Sequence, residues 1–266
     1  MKKIVIVLIF LLVNIPLIYG YGGPPPPLPF LNSEITGLPH QAPLFFADTN
    51  SVTIITQLSF YTPSSIDANI KVEGTYAAPT DNNLTWSIPG SSFNLGLSVN
   101  TGKILALFAV GRLDNGVNGD LGCSVLLGSA SDVRARLDFG LSSLSTSTKT
   151  TFYSGGYNSD TTFIVRTEND KGWDPFISLT INTAFDNWII NPYLQFSYCH
   201  QTLFNINWSS EDEVYSNIDV YTIAPGFSYR INKNILLVAG GSFFIPQLEA
   251  KSSGIFSGFI QTNFMF

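Results

Sequence analysis

The sequence predicts an all-β fold, a transmembrane antiparallel up-and-down β-barrel of about twelve strands, with a range of about ten to fourteen. Three observations point there. In Asp132-Val133-Arg134-Ala135-Arg136-Leu137-Asp138-Phe139 every even position is charged and every odd one apolar, so one strand carries a polar and an apolar face. Charged residues make up 12% of the chain, about half of the ~25% usual in a soluble domain, beside 45% hydrophobic and 14% aromatic residues. Beyond the N-terminal segment no run is long and apolar enough for a membrane helix, so the apolar residues are spread through short alternating segments. A closed barrel buries such a pattern in lipid while satisfying its own backbone. An antiparallel sandwich shares the alternation, but so little charge would leave it poorly soluble.

Residues 1–20 read as a signal peptide. Lys2 and Lys3 form its basic start, Ile4 to Val13 its apolar run, and Ile18-Tyr19-Gly20 a small-residue cleavage region. Asn14 and Pro16 cut the run short of the ~20 residues a membrane span needs. Residues 21–50 differ in kind, with Pro24 to Pro27 in a row and further prolines at 29, 39 and 43. A proline run favours the polyproline II conformation and cannot pair within a sheet. This leader is expected to be a tether, a lid or a plug, either loose in the periplasm or docked in a barrel lumen through Leu38, Leu44, Phe45 and Phe46.

Residues 51–266 are the expected barrel. Candidate strands are 51–61, 66–77, 92–100, 103–112, 119–128, 131–142, 161–168, 174–184, 187–200, 216–230, 234–246 and 254–266. A weaker run, 146–154, would be a further strand. Connection lengths complicate this count, because turns on the periplasmic side are short and outer loops long. Counted back from the C-terminus, 100–103 and 129–130 fall on the short-turn side only if the weak run is included. Asn115-Gly116 and Asn118-Gly119 suit a hairpin tip. Phe196 and Tyr198 on one strand, and Tyr221, Phe227 and Tyr229 on the next, share outward parity and are candidates for an aromatic girdle. Pro192 and Pro225 interrupt the same two strands, so a bulge or strand end is expected at one of them.

The final segment, Gly254 to Phe266, alternates Phe256, Ile260, Thr262, Phe264 and Phe266 with Ser257, Gln261 and Asn263, and stops on an aromatic residue. In this it resembles Gram-negative outer-membrane β-barrel proteins. The resemblance implies a cell outer membrane location and an assembly signal, Ile260, Thr262, Phe264 and Phe266, read by the barrel-assembly machinery. Outer-membrane lipid and lipopolysaccharide are then further partners. Pro29-Phe30-Leu31-Asn32-Ser33-Glu34 is more loosely similar to the start of transporter-like barrels associated with aromatic-compound degradation, but the paired acids and following proline of that pattern are missing.

Chemistry-bearing patterns are sparse. The two histidines, His40 and His200, limit acid–base and metal chemistry, and no metalloprotease, Walker or nucleophile-elbow motif is present. Ser197 and Cys199 lie on the opposite parity from His200, which misaligns them for catalysis. The expectation is a non-enzyme with no catalytic, cofactor-binding or metal-binding residues. Cys123 and Cys199 sit on strand faces of opposite character, which disfavours a disulfide. Loss of Lys2 and Lys3 would take the net charge of −6 to −8, which argues against a nucleic-acid partner.

The lumen remains as the candidate site. Its expected lining charges are Asp67, Lys71, Glu73, Asp132, Arg134, Arg136, Asp138, Arg166 and Arg230, a near-balanced set. Adjacent Arg134 and Arg136 suggest a constriction or a contact with a plug. Small inner residues, Thr222, Ala224, Gly226, Ser228, Gly240 and Ser242, suggest a narrow passage along another wall. The leading functional expectation is a channel or transporter-like barrel for a small-molecule solute. The alternative is a non-conducting structural or adhesive barrel that acts through its outer loops.

Overall fold

A computed structural model describes residues 30–47, 51–62, 65–69, 73–74, 82–114, 116–128, 133–156, 159–185, 188–207, 213–248 and 254–266. Ten antiparallel strands close into a barrel: β2 (Val52–Thr62), β6 (Ser91–Asn100), β7 (Leu105–Leu113), β8 (Val117–Leu127), β9 (Val133–Gly156), β10 (Ser159–Thr183), β11 (Ile190–Asn207), β12 (Glu213–Asn232), β13 (Ile235–Pro246) and β14 (Ile255–Met265). Each wall strand pairs with the next in sequence, and β14 closes on β2 from Met265↔Thr53 to Phe256↔Thr62. Each wall strand is thus paired on both sides through the belt, so the closed wall leaves no strand edge there to be covered.

Short strands form a second tier at one end. They are β1 (Phe30–Thr36), β3 (Ser65–Asn69), β4 (Glu73–Gly74) and β5 (Asn82–Ser87). The β8–β9 ladder stops at Gly119↔Ser143, and β1 takes over the vacated edge of β9 from Thr36↔Ser147 to Phe30↔Tyr153. β5 then pairs with β1, β3 with β5, and β4 with the start of β12. The tier sits at the end where the long connections lie. At the opposite end the Phe266 carbonyl accepts hydrogen bonds from the backbone N–H groups of Ser51 and Val52.

This wall of ten strands lies within the expected range of ten to fourteen and falls short of twelve at two places. The run 66–77 supplies β3 and β4 to the second tier instead of a wall strand. Candidates 161–168 and 174–184 are a single strand, β10, which runs on through Asn169-Asp170-Lys171-Gly172. Turn-like residues there mark no turn because β9 and β10 continue as a hairpin beyond the apolar belt, where a strand needs no apolar face. The weak run 146–154 is the upper half of β9. With ten strands, the connections at 101–104 and 128–132 fall at the C-terminal end of the barrel, as their shortness requires.

The alternation sorts the surface. Outward residues make an apolar belt that includes Leu58, Leu95, Leu107, Leu121, Phe139, Ile177, Phe196, Ile223, Leu237 and Ile260, all exposed. Tyr221, Phe227 and Tyr229 point outward, and the ring of Tyr198 packs against that of Tyr221 at 5.3 Å. Cys123 also faces out whereas Cys199 is buried inside, and both thiols are free. Neither strand proline ends its strand, but the β12–β13 ladder lapses at Ala224 and Pro225, beside a hollow of about 390 Å³. The missing N–H of proline explains the lapse.

Candidate functional site: the occupied lumen

The inward parity of the wall is polar at many positions: Gln57, Asn94, Ser98, Asp120, Ser124, Thr180, Gln195, Gln201, Ser242 and Gln261 are all buried. They are buried because the lumen is filled. After β1 the chain turns inward at Gly37 and descends through the barrel, and every residue from Leu38 to Ala47 is buried. We refer to residues 37–47 as the strap.

A buried segment outside any ladder needs partners for its backbone. The wall provides them as side-chain amides. Gln201 accepts from the His40 N–H (3.0 Å) and donates to the Leu38 carbonyl (3.2 Å), so one amide mimics a β-bridge. Gln195 donates to the Pro43 carbonyl (3.0 Å) and Gln261 to the Leu44 carbonyl (2.8 Å). Near the C-terminal end of the barrel the Ala47 N–H donates to Asn182 Oδ1 (3.2 Å). Pro39 and Pro43 lessen the demand, since neither has an N–H to satisfy. The Gln41 side chain joins Tyr61 (3.0 Å) and Ser242 (3.4 Å), tying the strap to β2 and β13, the two strands that flank β14.

Apolar contacts fill the rest. Phe45 packs with Phe108, Phe176, Ile55 and Val110, while Leu44 and Phe46 pack with Tyr193, Val238, Phe259 and Met265. Burying each large side chain of this kind contributes roughly 1.5–3 kcal/mol. Toward the long-loop end Trp86 of β5 is fully buried among Ile35, Leu38, Tyr61 and Phe244, and its indole N–H donates to the Gly37 carbonyl. The second tier thus roofs the lumen that the strap fills.

Two buried ion pairs flank the strap. Arg112 Nη2 lies 2.6 Å from Asp120 Oδ1 and also donates to Ser142. Arg136 Nε lies 2.7 Å from Asp138 Oδ1, with Ser124 and Ser98 completing its hydrogen bonds. The Arg136 guanidinium also sits 4.7 Å from the centre of the Phe45 ring, a cation–π contact with the strap. His40 stacks on Phe176, its Nε2 lying 3.8 Å from Asp120 Oδ1.

The expected lining charges divide accordingly. Arg136 and Asp138 face the lumen, and Arg134 shares their parity, half-buried toward the short-turn end. Asp67 does not line the lumen: it is exposed on β3 and accepts a hydrogen bond from Thr85, because its strand left the wall. Arg230 is exposed at the short-turn end of β12. Lys71 and Asp132 lie outside the described residues, and so do the side chains of Glu73 and Arg166. The small inner residues do not leave a passage either. The Tyr193 ring covers Gly226 and Gly240, and Ser242 is bonded to the strap.

The residues that sequence reasoning missed are Arg112, Asp120 and the three glutamines. Arg112 sits on a strand with apolar residues on both faces, since its inner face meets the strap's Phe45, and this hides the polar parity. Asp120 reads as part of a hairpin tip. Gln195 and Gln201 are six positions apart on one face of β11, and Gln261 lies on the polar face of β14. That spacing was the available signal.

His200 faces outward at the long-loop end, bonded through Nδ1 to Asp219 (2.9 Å), which also accepts from Tyr198; Ser197 and Cys199 point inward. Among the described residues no group of His, Cys, Asp and Glu gathers as a metal site.

No family model and no curated protein matches the chain. Among solved structures it is similar to the outer-membrane protease OmpT from Escherichia coli, with 10% identity and a TM-score of 0.49 over 84% of this chain and 99% of that one. It is also similar to the KdgM porin, with 11% identity and a TM-score of 0.39 over 80% and 99%. The translocator domain of the autotransporter NalP from Neisseria meningitidis gives 11% identity and a TM-score of 0.38 over 82% and 90%.

Proposed function

We propose that this chain is a β-barrel of the cell outer membrane whose lumen is closed by its own strap, so that it does not conduct as folded and acts through its long-loop end. The carrying observation is the unbroken burial of Leu38 to Ala47 inside the wall. The continuous outward belt of large apolar residues supports lipid as the surroundings, because water would not tolerate it. Outer-membrane lipid and lipopolysaccharide are its natural contacts. Purified full-length protein in a planar bilayer should be electrically silent. Gln201→Ala with Gln261→Ala removes three of the strap's backbone hydrogen bonds and should introduce intermittent openings. Steady conductance from the unaltered chain would defeat the reading.

A second reading, passage of a small-molecule solute after displacement of the strap, is favoured by one observation. The strap is held by single side-chain amides instead of a continuous ladder, so its release disrupts no wall pairing. The same bilayer experiment reports on it: openings induced by voltage or solute in the unaltered chain would favour a gate over a permanent seal.

Ile260, Thr262, Phe264 and Phe266 share the outward face of β14, where an assembly machine could read them. Removing Phe266 deletes the carbonyl that receives the Ser51 and Val52 N–H groups as well as the aromatic end. Insertion should fall several-fold, read as the heat-modifiable fraction on gels of outer membranes. Unchanged insertion would remove this role from Phe266.

A further inference from the structure

The direction in which the strap crosses the barrel has a topological consequence. β1 runs antiparallel to β9, with Phe30 opposite Tyr153 near the outermost end of that strand and Thr36 opposite Ser147 nearer the wall. From there the strap's partners lie progressively farther down. Leu38 and His40 meet Gln201 in the upper part of β11, Pro43 meets Gln195 below it, and Ala47 meets Asn182 next to the lower end of β10. The chain then enters β2 beside Phe266 at the short-turn end. Ten extended residues reach about 33 Å, enough to cross a hydrocarbon layer of ~30 Å.

We propose that the strap carries the chain across the membrane, so that β1 lies at the long-loop, outer face while β2 begins on the periplasmic face. This rests on the outer-membrane reading above, with short turns periplasmic and long loops outside. The strap is then an anchored thread: the wall holds its middle, β1 pairs with β9 at its outer end, and β2 pairs with β14 at its inner end.

The test uses the full chain in intact cells with Cys123→Ser and Cys199→Ala, and single cysteines placed at the exposed Glu34 of β1, at Gly116 on the long-loop hairpin tip, and at Thr101 on a short turn. A membrane-impermeant maleimide should label positions 34 and 116 on intact cells, and position 101 only after the outer membrane is permeabilised. If 116 and 101 separate in this way but 34 behaves like 101, the threading is overturned while the outer-membrane reading stands. If 101 labels as readily as 116 on intact cells, the outer-membrane reading itself fails. A second measurement does not depend on labelling. Thr36→Cys with Ser147→Cys should cross-link on oxidation and Phe30→Cys with Ser147→Cys should not; the reverse result would invert the thread and overturn the proposal.

Discussion

Gly122→Val should prevent assembly of the barrel or lower its stability by about 3 kcal/mol or more, beyond the range of an ordinary overpacked core. Gly122 and Gly140 are direct partners across β8 and β9, both on the lumen face. A side chain at 122 would run into the Phe139 carbonyl and the Phe108 ring; one at 140 would meet the Phe176 ring at 2.6 Å and the Leu121 carbonyl at 2.7 Å. The backbone obstacles cannot rotate away. The two rings are the surfaces on which His40 and Phe45 of the strap lie, so a displaced ring also lifts the strap. Loss of the heat-modifiable band, or a lowered urea midpoint in detergent, reads the effect. Gly90→Ala, where a Cβ meets nothing within 4 Å, is the matched control and should behave like the unaltered chain.

Asp138→Ala should cost about 3–5 kcal/mol, because it strands a guanidinium inside the barrel. Arg136 and Asp138 are 2% and 1% exposed, and among the described residues Arg136 meets hydroxyls and the Phe45 and Phe108 rings besides its carboxylate partner. Replacing both residues by leucine removes the two charges together and should cost far less, since a buried pair adds little net stability over packed apolar groups. A double-mutant cycle in urea unfolding checks this. If the single and double variants lose equal stability, the pair is not the reason these residues matter.

Much of the fold is legible in the sequence because wall strands with an apolar outer face and a polar inner face obey a strict period of two. Asp132 to Phe139 and Gly254 to Phe266 show this most clearly, and the structure keeps the parity of both wherever it describes them. Legibility fails where the surroundings change along one strand. β10 crosses from the apolar belt into the second tier at Gly172, loses the amphipathic pattern there, and reads as two strands with a turn between. The run 66–77 alternates as well as a wall strand does, because β3 and β5 pack on the strap's apolar roof and also need one dry face. The lumen was half legible. Charges that alternate with apolar residues, Arg136 and Asp138, stand out, whereas Arg112 is masked by an inner face that is apolar for the strap's sake. A proline-bearing segment that uses glutamines in place of a ladder leaves only a composition shift and inward amides to reveal it.

Hydrogen exchange of the strap amides in the detergent-solubilised or nanodisc-embedded full chain tests the occupied lumen most directly. A peptide covering Leu38 to Ala47 should exchange as slowly as peptides from β11 and β14, because its N–H groups are enclosed by the wall and those of His40 and Ala47 are bonded to it. Exchange of that peptide within seconds, while the wall strands stay protected, would contradict a strap seated in the lumen.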